Sequence, residues 1–374
     1  MNRLGIVIER VRRTMAQRRT FAAKTDWTPI APEGARVFLV YLFDGLGDAL
    51  LLAPAVAALV ERGAATPIHL MLRKEAARPW KQIDLPVKIH TPTDALLTHA
   101  NLDRVPKVDR AEVDALVRRL ARQKFDVAVD LTARRDTNAR AWVVRSNATH
   151  RLGWIADHES IATTGLTYGL PDDRDLGLRH WSRELVRPLA PLGVDAPKYD
   201  IPFVDRSAAD TKARALTDGR PWILLVPGSR NPAKQWAPEG FIEIGRSLPA
   251  SAPHTVVISG TPDDRKRLRQ VARAIGPRAR VFSGRDLATL FALVRKADAV
   301  VTNDTGPMHL AFLAQVPTIA LFTWMPAVPW GPPLSDPKFV VLNVRDAEAG
   351  AQHPWARLAI HHLHTQLQRL GRLA

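Results

Sequence analysis

The sequence predicts an α/β protein made of two Rossmann-like parallel-sheet domains that face each other across an interdomain cleft. Its 374 residues exceed what one ordinary core holds, and domains of roughly 150–200 residues are the natural division. From residue 35, apolar strand-length runs alternate with helical patterns, as a parallel sheet with crossover helices requires. The same alternation restarts after a polar, proline-containing stretch near 195–220, which sets a boundary near residue 205.

In the first domain, 34–205, strands are expected at 37–41, 68–72 and 125–131, the last carrying Asp130, with a helix over 48–62. In the second, 206–374, strands are expected at 222–226, 255–259, 299–302 and 318–322. The helices between these strands are expected at about 238–249, 263–275, 286–296 and 307–315, with a further C-terminal helix.

Residues 1–33 stand apart. Arg3, Arg10, Arg12, Arg13, Arg18, Arg19 and Lys24 face only Glu9, Asp26 and Glu33, while Leu4, Ile8, Val11 and Met15 recur at helical spacing. Such a helix either lies on an anionic bilayer or packs on the first domain. The formal charge of +16, from 53 Lys and Arg against 37 Asp and Glu, calls for an anionic partner: membrane, phosphorylated substrate or nucleic acid.

Composition also excludes chemistry. With no cysteine there is no disulfide framework, thiolate nucleophile or cysteine-held zinc. The longest apolar run, 49–60, is twelve residues and contains Pro54, too short to span a bilayer. The N-terminus lacks the apolar stretch of a secretory signal, so a cytoplasmic location is expected.

In open parallel sheets, ligands bind beyond the carboxyl ends of the strands, where glycine admits backbone and helix N-termini attract anions. Three loops there have the chemistry. In Asp44-Gly45-Leu46-Gly47-Asp48 the glycines are expected to allow a sharp turn with positive φ, and Asp48 either caps the next helix or points into the cleft. In 226–236, Gly228 and Ser229 offer backbone N–H groups and Lys234 an ammonium, a set suited to phosphate. In 303–309, Thr305 is expected to cap a helix whose first turn holds Gly306 and Pro307, leaving its positive end open for a diphosphate.

Together these loops resemble glycosyltransferase family 9, the heptosyltransferases of lipopolysaccharide. The resemblance rests on Gly47-Asp48, on Pro227-Gly228-Ser229 with Lys234 and Trp236, on the 259–264 turn, on Asn303 to Ala311, on 316–322, and on Trp330-Gly331-Pro332. It implies a GT-B fold with the acceptor in the first domain and the nucleotide-sugar donor in the second. It further implies inverting transfer of a heptose or related sugar, with ADP-heptose as donor. Asp48 is implied as general base and Lys234 as the phosphate contact. Gly228, Ser229, Asp304, Thr305, Gly306, Pro307, Met308 and His309 are implied to line the donor, with Asp264, or its neighbour Asp263, holding the ribose.

On the acceptor side the resemblance implies Gly47, Arg134, Arg135, Arg145 and His180, facing an anionic glycolipid such as lipopolysaccharide core. Neither a metal nor a cofactor is expected, and the enzyme is expected as a peripheral protein on the inner face of the cytoplasmic membrane. Leu42 stands where the family often carries an arginine, five residues before Gly47, so acceptor contacts are expected to differ from the common pattern.

Two other readings compete. A nucleotide-sugar epimerase shares the architecture but needs a second cleft carboxylate, for which Asp44 is the candidate. A nucleic-acid-binding protein suits the charge, yet the basic runs at 10–19 and 134–151 contain a single aromatic, Trp142, and offer little for base stacking. No nucleic-acid partner is therefore expected.

Overall fold

The computed structural model describes residues 28–43, 45–93, 110–132, 137–155, 161–172, 179–332, 335–344 and 352–373. Most of the basic leader, Asp44, Arg134 and Arg135 lie outside the described residues. The first half runs β1 (Arg36–Tyr41), α1 (Leu46–Leu51), α2 (Ala53–Glu61), β2 (Ala65–Leu72), α3 (Lys74–Ala77), β3 (Val87–His90), α4 (Arg110–Ala121), β4 (Val127–Asp130), α5 (Thr137–Arg145), β5 (His150–Ile155), α6 (Ile161–Thr164), β6 (Tyr168–Pro171) and α7 (Trp181–Val186). The second half runs α8 (Ser207–Leu216), β7 (Trp222–Val226), α9 (Pro238–Arg246), β8 (Thr255–Gly260), α10 (Arg265–Ile275), β9 (Ala279–Ser283), α11 (Leu287–Arg295), β10 (Ala299–Asn303), α12 (Gly306–Leu313), β11 (Thr318–Phe322), β12 (Phe339–Asn343) and α13 (Gln352–Arg369).

Each half forms one six-stranded sheet, ordered β3-β2-β1-β4-β5-β6 and β12-β11-β10-β7-β8-β9. Every pairing is parallel. In both sheets the chain order reverses between the two central strands, β1 and β4 or β7 and β10, and crevices open at the carboxyl ends of such pairs.

The strands read from the sequence are central or next to it, and central strands of a parallel sheet are apolar on both faces: β7, β10 and β11 are buried throughout. The strands the sequence reading missed, β3, β5, β6, β9 and β12, include all four sheet edges. There one side meets water, and residues such as Lys88 and Arg280 break the apolar run. The helix expected over 48–62 is two helices. It starts earlier, at Leu46, and breaks at Leu52, because Pro54 has no N–H to donate to the Leu50 carbonyl.

Three apolar layers hold the molecule. One fills the outer face of the first sheet around Phe38, Phe125 and Trp142, and another fills the outer face of the second around Trp236, Phe241 and Leu363. The largest is continuous between the halves, linking Leu39, Leu50 and Trp181 with Leu310 and Phe312. The two sheets therefore share a seam. No helix among the described residues is long and apolar enough to cross a membrane.

Candidate active site

The seam is tightest where α1 and α12 meet tip to tip. Each helix starts at the carboxyl end of a central strand, β1 or β10, so the parallel topology itself delivers both N-termini to one place. The glycines matter here through close approach. Gly45 has φ −81 and serves as the N-cap residue, and Gly47 is absent from the positive-φ glycines, so the left-handed turn expected from the sequence does not occur. A β-carbon on Gly47 would instead sit 2.4 Å from Cδ2 of His309, and one on Gly306 would sit 2.6 Å from Cδ2 of Leu46.

Gly47→Ala should accordingly push the halves apart, since real β-carbons do not approach heavy atoms so closely. The expected outcome is a larger radius of gyration by small-angle scattering with little change in the fold of either half. An unchanged radius would show that His309 yields without opening the seam.

Asp48 occupies the first turn of α1 as its third residue, and the carboxylate folds back over Gly45, whose added β-carbon would overlap Oδ2. Burial raises its pKa above the ordinary aspartate value, while the Lys234 charge, its own backbone N–H and Arg230 act in the opposite direction. Asp304 reinforces the rise. These influences show that Asp48, from the first half, lies within electrostatic reach of Lys234, Asp304 and Arg230 of the second.

Lys234 approaches Asp304 Oδ2 at 2.6 Å, with the aspartate almost fully buried and the lysine about a quarter exposed. The contact is a close charge pair and not an aligned hydrogen bond, for Asp304 Oδ2 has no hydrogen-bond donor. A buried carboxylate left without such a partner would be costly.

Asn303, to which the sequence reading gave no role, ties the second half's loops together. Fully buried, it accepts from the Trp236 N–H at 3.2 Å and donates from Nδ2 to the Pro227 carbonyl at 2.9 Å, so both ends of the 227–236 loop are pinned to the end of β10. A signal lay in the sequence: an amide at the end of an apolar central strand has to find buried partners. Within the loop, Ser229 Oγ accepts from Asn231 N–H at 3.3 Å and the Ser229 carbonyl accepts from Gln235 Nε2 at 2.7 Å. Thr323 Oγ1 donates to the Ala233 carbonyl at 2.6 Å. Lys234 thus projects from a loop fixed on several sides.

Asp264 stands against Gly228, whose added β-carbon would lie 2.6 Å from Oδ1. Its Oδ2 accepts from the Thr261 N–H and hydroxyl at 2.9 and 2.7 Å, which leaves Oδ1 toward the glycine. Its neighbour Asp263 is exposed. Thr305 does not cap α12 as expected: no side-chain cap is formed, and its hydroxyl donates to the Asn303 carbonyl at 3.3 Å. The helix end therefore keeps unpaired backbone donors for a guest. Met308 does not reach the cleft: its side chain is fully buried beside Ala320 and Phe322, and its N–H bonds the Thr305 carbonyl at 3.0 Å.

His309 and His180 both line the seam. His309 is buried against Phe312, with rings 5.9 Å apart, and its Nδ1 has no partner; burial and Lys234 hold its pKa down to about 3. His180, at the start of α7, also meets Phe312, at 5.7 Å, and its Nδ1 lies 2.6 Å from Ser182 Oγ; burial and His309 lower its pKa to about 3. Both rings are therefore neutral near pH 7. Beside them Trp181 stacks on Trp330 at 5.1 Å and donates its backbone N–H to the Pro329 carbonyl at 2.7 Å, stitching the halves together.

Arg145 is not brought to this place. It ends α5, five residues before β5 begins at the amino edge of the sheet. The eight-residue rise of that helix, about 12 Å, carries it away from the carboxyl edge. Arg151, also in the basic run, is spent internally, donating to the Gly165 and Ala148 carbonyls at 2.7 Å each.

Two sheets of this order, joined through glycine-bearing loops at their carboxyl edges, define a two-domain α/β protein of the GT-B class. Residues 113–354 match the model of glycosyltransferase family 9 (heptosyltransferase), and the chain belongs to that family. It is 28% identical over 213 residues to lipooligosaccharide heptosyltransferase 2 of Haemophilus influenzae, the match covering 53% of this chain and 60% of that protein. The chain spans about three-fifths of the length of such curated relatives. In fold it is similar to a family 9 glycosyl transferase of Veillonella parvula, with TM-score 0.71 at 19% identity, covering 90% of this chain and 98% of that one. It is similar also to the Escherichia coli ADP-heptose lipopolysaccharide heptosyltransferase II, with TM-score 0.67 at 19% identity, covering 89% and 99%.

Proposed function

We propose that this protein is an inverting glycosyltransferase that moves a heptose, or a closely related sugar, from a nucleotide-diphosphate donor to a hydroxyl of lipopolysaccharide core or a similar anionic glycolipid. The observation that carries the reading is that the glycine contacts of α1 on the uncapped α12 terminus put Asp48 within electrostatic reach of Lys234 across the seam. Family membership supports the class of reaction, and similarity to the Escherichia coli ADP-heptose lipopolysaccharide heptosyltransferase II supports ADP-heptose as donor.

Asp48 takes the proton from the acceptor hydroxyl as that oxygen bonds the anomeric carbon from the face opposite the departing diphosphate. The carbon–oxygen bond to the diphosphate breaks, and the configuration inverts. Negative charge grows on the leaving group, where Lys234 and the positive end of α12 balance it. Gly228, Ser229, Gly306 and Pro307 form the cradle, with Asp264 directed at the ribose.

Asp304, itself an anion, acts through Lys234: it holds the ammonium in place before the diphosphate arrives, and the donor then competes for that charge. His309 and His180, both neutral, offer polar ring nitrogens to sugar hydroxyls without adding charge. Desolvation makes Asp48 a stronger base than a solvated aspartate, and the fixed geometry supplies the remainder.

The lysine and helix end account for the leaving-group charge without a divalent ion, so transfer is expected to persist in EDTA. The test supplies ADP-heptose with and without a heptose-deficient lipopolysaccharide acceptor and measures ADP released. Acceptor-dependent ADP release, unchanged by chelator, is the expected result. Sugar interconversion without acceptor would favour an epimerase, and loss of turnover in EDTA would remove metal independence. Peripheral attachment to the inner face of the cytoplasmic membrane follows from such an acceptor.

A further inference from the structure

Helix α10 carries the densest positive charge among the described residues, and the transfer chemistry makes no use of it. Its sequence places Arg265, Lys266, Arg267, Arg269 and Arg273 in eleven residues. Arg267 is drawn inward and donates to the Trp236 carbonyl at 3.4 Å. The nearby Arg278 and Arg280 are also committed, to the Leu248 and Pro249 carbonyls and to Asp218.

Arg265, Lys266, Arg269 and Arg273 differ from these. All four are exposed, and no side-chain hydrogen bond or ion pair joins any of them to another described residue. With Gln270 and Ala274 they line one shallow groove. At 3.6 residues per turn they fall within an arc of about 100°, turned away from the buried face of Leu268 and Val271. The stripe is about 12 Å long, and the acids adjoining it in sequence are Asp263 and Asp264, both in the turn before the helix.

We infer that this stripe is a docking surface for an anionic phospholipid bilayer. Four unpaired cations on one helix face match an array of phosphate headgroups, and each adds to the attraction of a negative surface. Nucleic acid fits less well, because residues 262–281 contain no aromatic side chain on which a base could stack. The surface sits on the second half, on an element separate from the basic leader at 1–33, and it stands or falls independently of the sugar chemistry.

The experiment is co-sedimentation of the full chain with vesicles of phosphatidylcholine alone or of phosphatidylcholine mixed with phosphatidylglycerol, for the parent and for the combined Lys266→Gln, Arg269→Gln, Arg273→Gln variant. These exposed substitutions should leave the thermal midpoint unchanged, which separates lost docking from lost folding. The parent is expected to bind only the anionic vesicles, less tightly as salt rises. The variant is expected to partition at least about tenfold more weakly, given roughly fivefold per cation near the surface. A folded variant that sediments like the parent would overturn the inference and assign any binding to the leader. Equal binding of parent and variant to neutral vesicles would overturn it too, as would tighter binding of the parent to duplex DNA than to anionic vesicles.

Discussion

Replacing Asp48 with asparagine should lower kcat by about 10²–10⁴-fold, the span that a positioned general base contributes, while leaving donor affinity nearly intact. The same change should not cost stability at neutral pH. Burial raises the folded-state pKa of Asp48, so folding prefers its protonated form. The favourable contribution of that preference is complete below the ordinary aspartate pKa and is lost as pH rises through the raised one. Asparagine stays neutral throughout.

The variant should therefore match the parent in acid and exceed it above the raised pKa, which thermal unfolding across pH will show. The parent's acid limb in kcat/KM should lie above the ordinary aspartate value for the same reason. A variant that is fully active would remove Asp48 as the base. One that is less stable than the parent at pH 7 would contradict the desolvation account.

Lys234→Ala should act on stability and on chemistry together. It strands the carboxylate of Asp304, which is 5% exposed, and breaking a buried pair in this way costs about 3–5 kcal/mol when both members are inside. Because Lys234 is 26% exposed, solvent takes part of that load, and about 2 kcal/mol is a suitable expectation. Adding Asp304→Asn should restore most of the loss, since no unpaired charge then remains, and the two effects should be strongly non-additive.

Function should not return with stability. Donor affinity is expected to fall roughly tenfold or more in both the single and the double variant, as loss of a charge-assisted contact implies, and turnover by about 10²–10³-fold. Calorimetric titration with ADP-heptose and thermal unfolding check the two halves separately. Recovery of donor affinity in the double variant would show that Lys234 serves Asp304 alone.

The loops of the candidate site were legible in the sequence because their chemistry is local. Gly47-Asp48, Lys234 and the 303–309 stretch each combine a strand end with residue types that only a few structures require. What escapes the sequence is whatever depends on residues distant along the chain. Asn303 lies within a recognisable motif, yet its two hydrogen bonds reach 67 and 76 residues back along the chain. Gly47 suggests a need for backbone freedom, whereas its φ is ordinary and the pressure on it comes from His309 across the seam.

Arg145 suited the charge expected of an acceptor site, but helix direction places it at the wrong edge of the sheet. Met308 sat inside a binding motif and turned out to be core. The fold class was clear from the central strands, where burial on both faces leaves an uninterrupted apolar run, and blurred at the edges, where it does not.

The most direct test of a shared site is a crystal structure of the chain with a nucleotide-sugar donor bound. The diphosphate is expected at the N-terminus of α12 within hydrogen-bond reach of Lys234, with Asp48 facing the anomeric carbon from the other half. A diphosphate bound elsewhere, or one bound there with Asp48 turned out of the cleft, would contradict it.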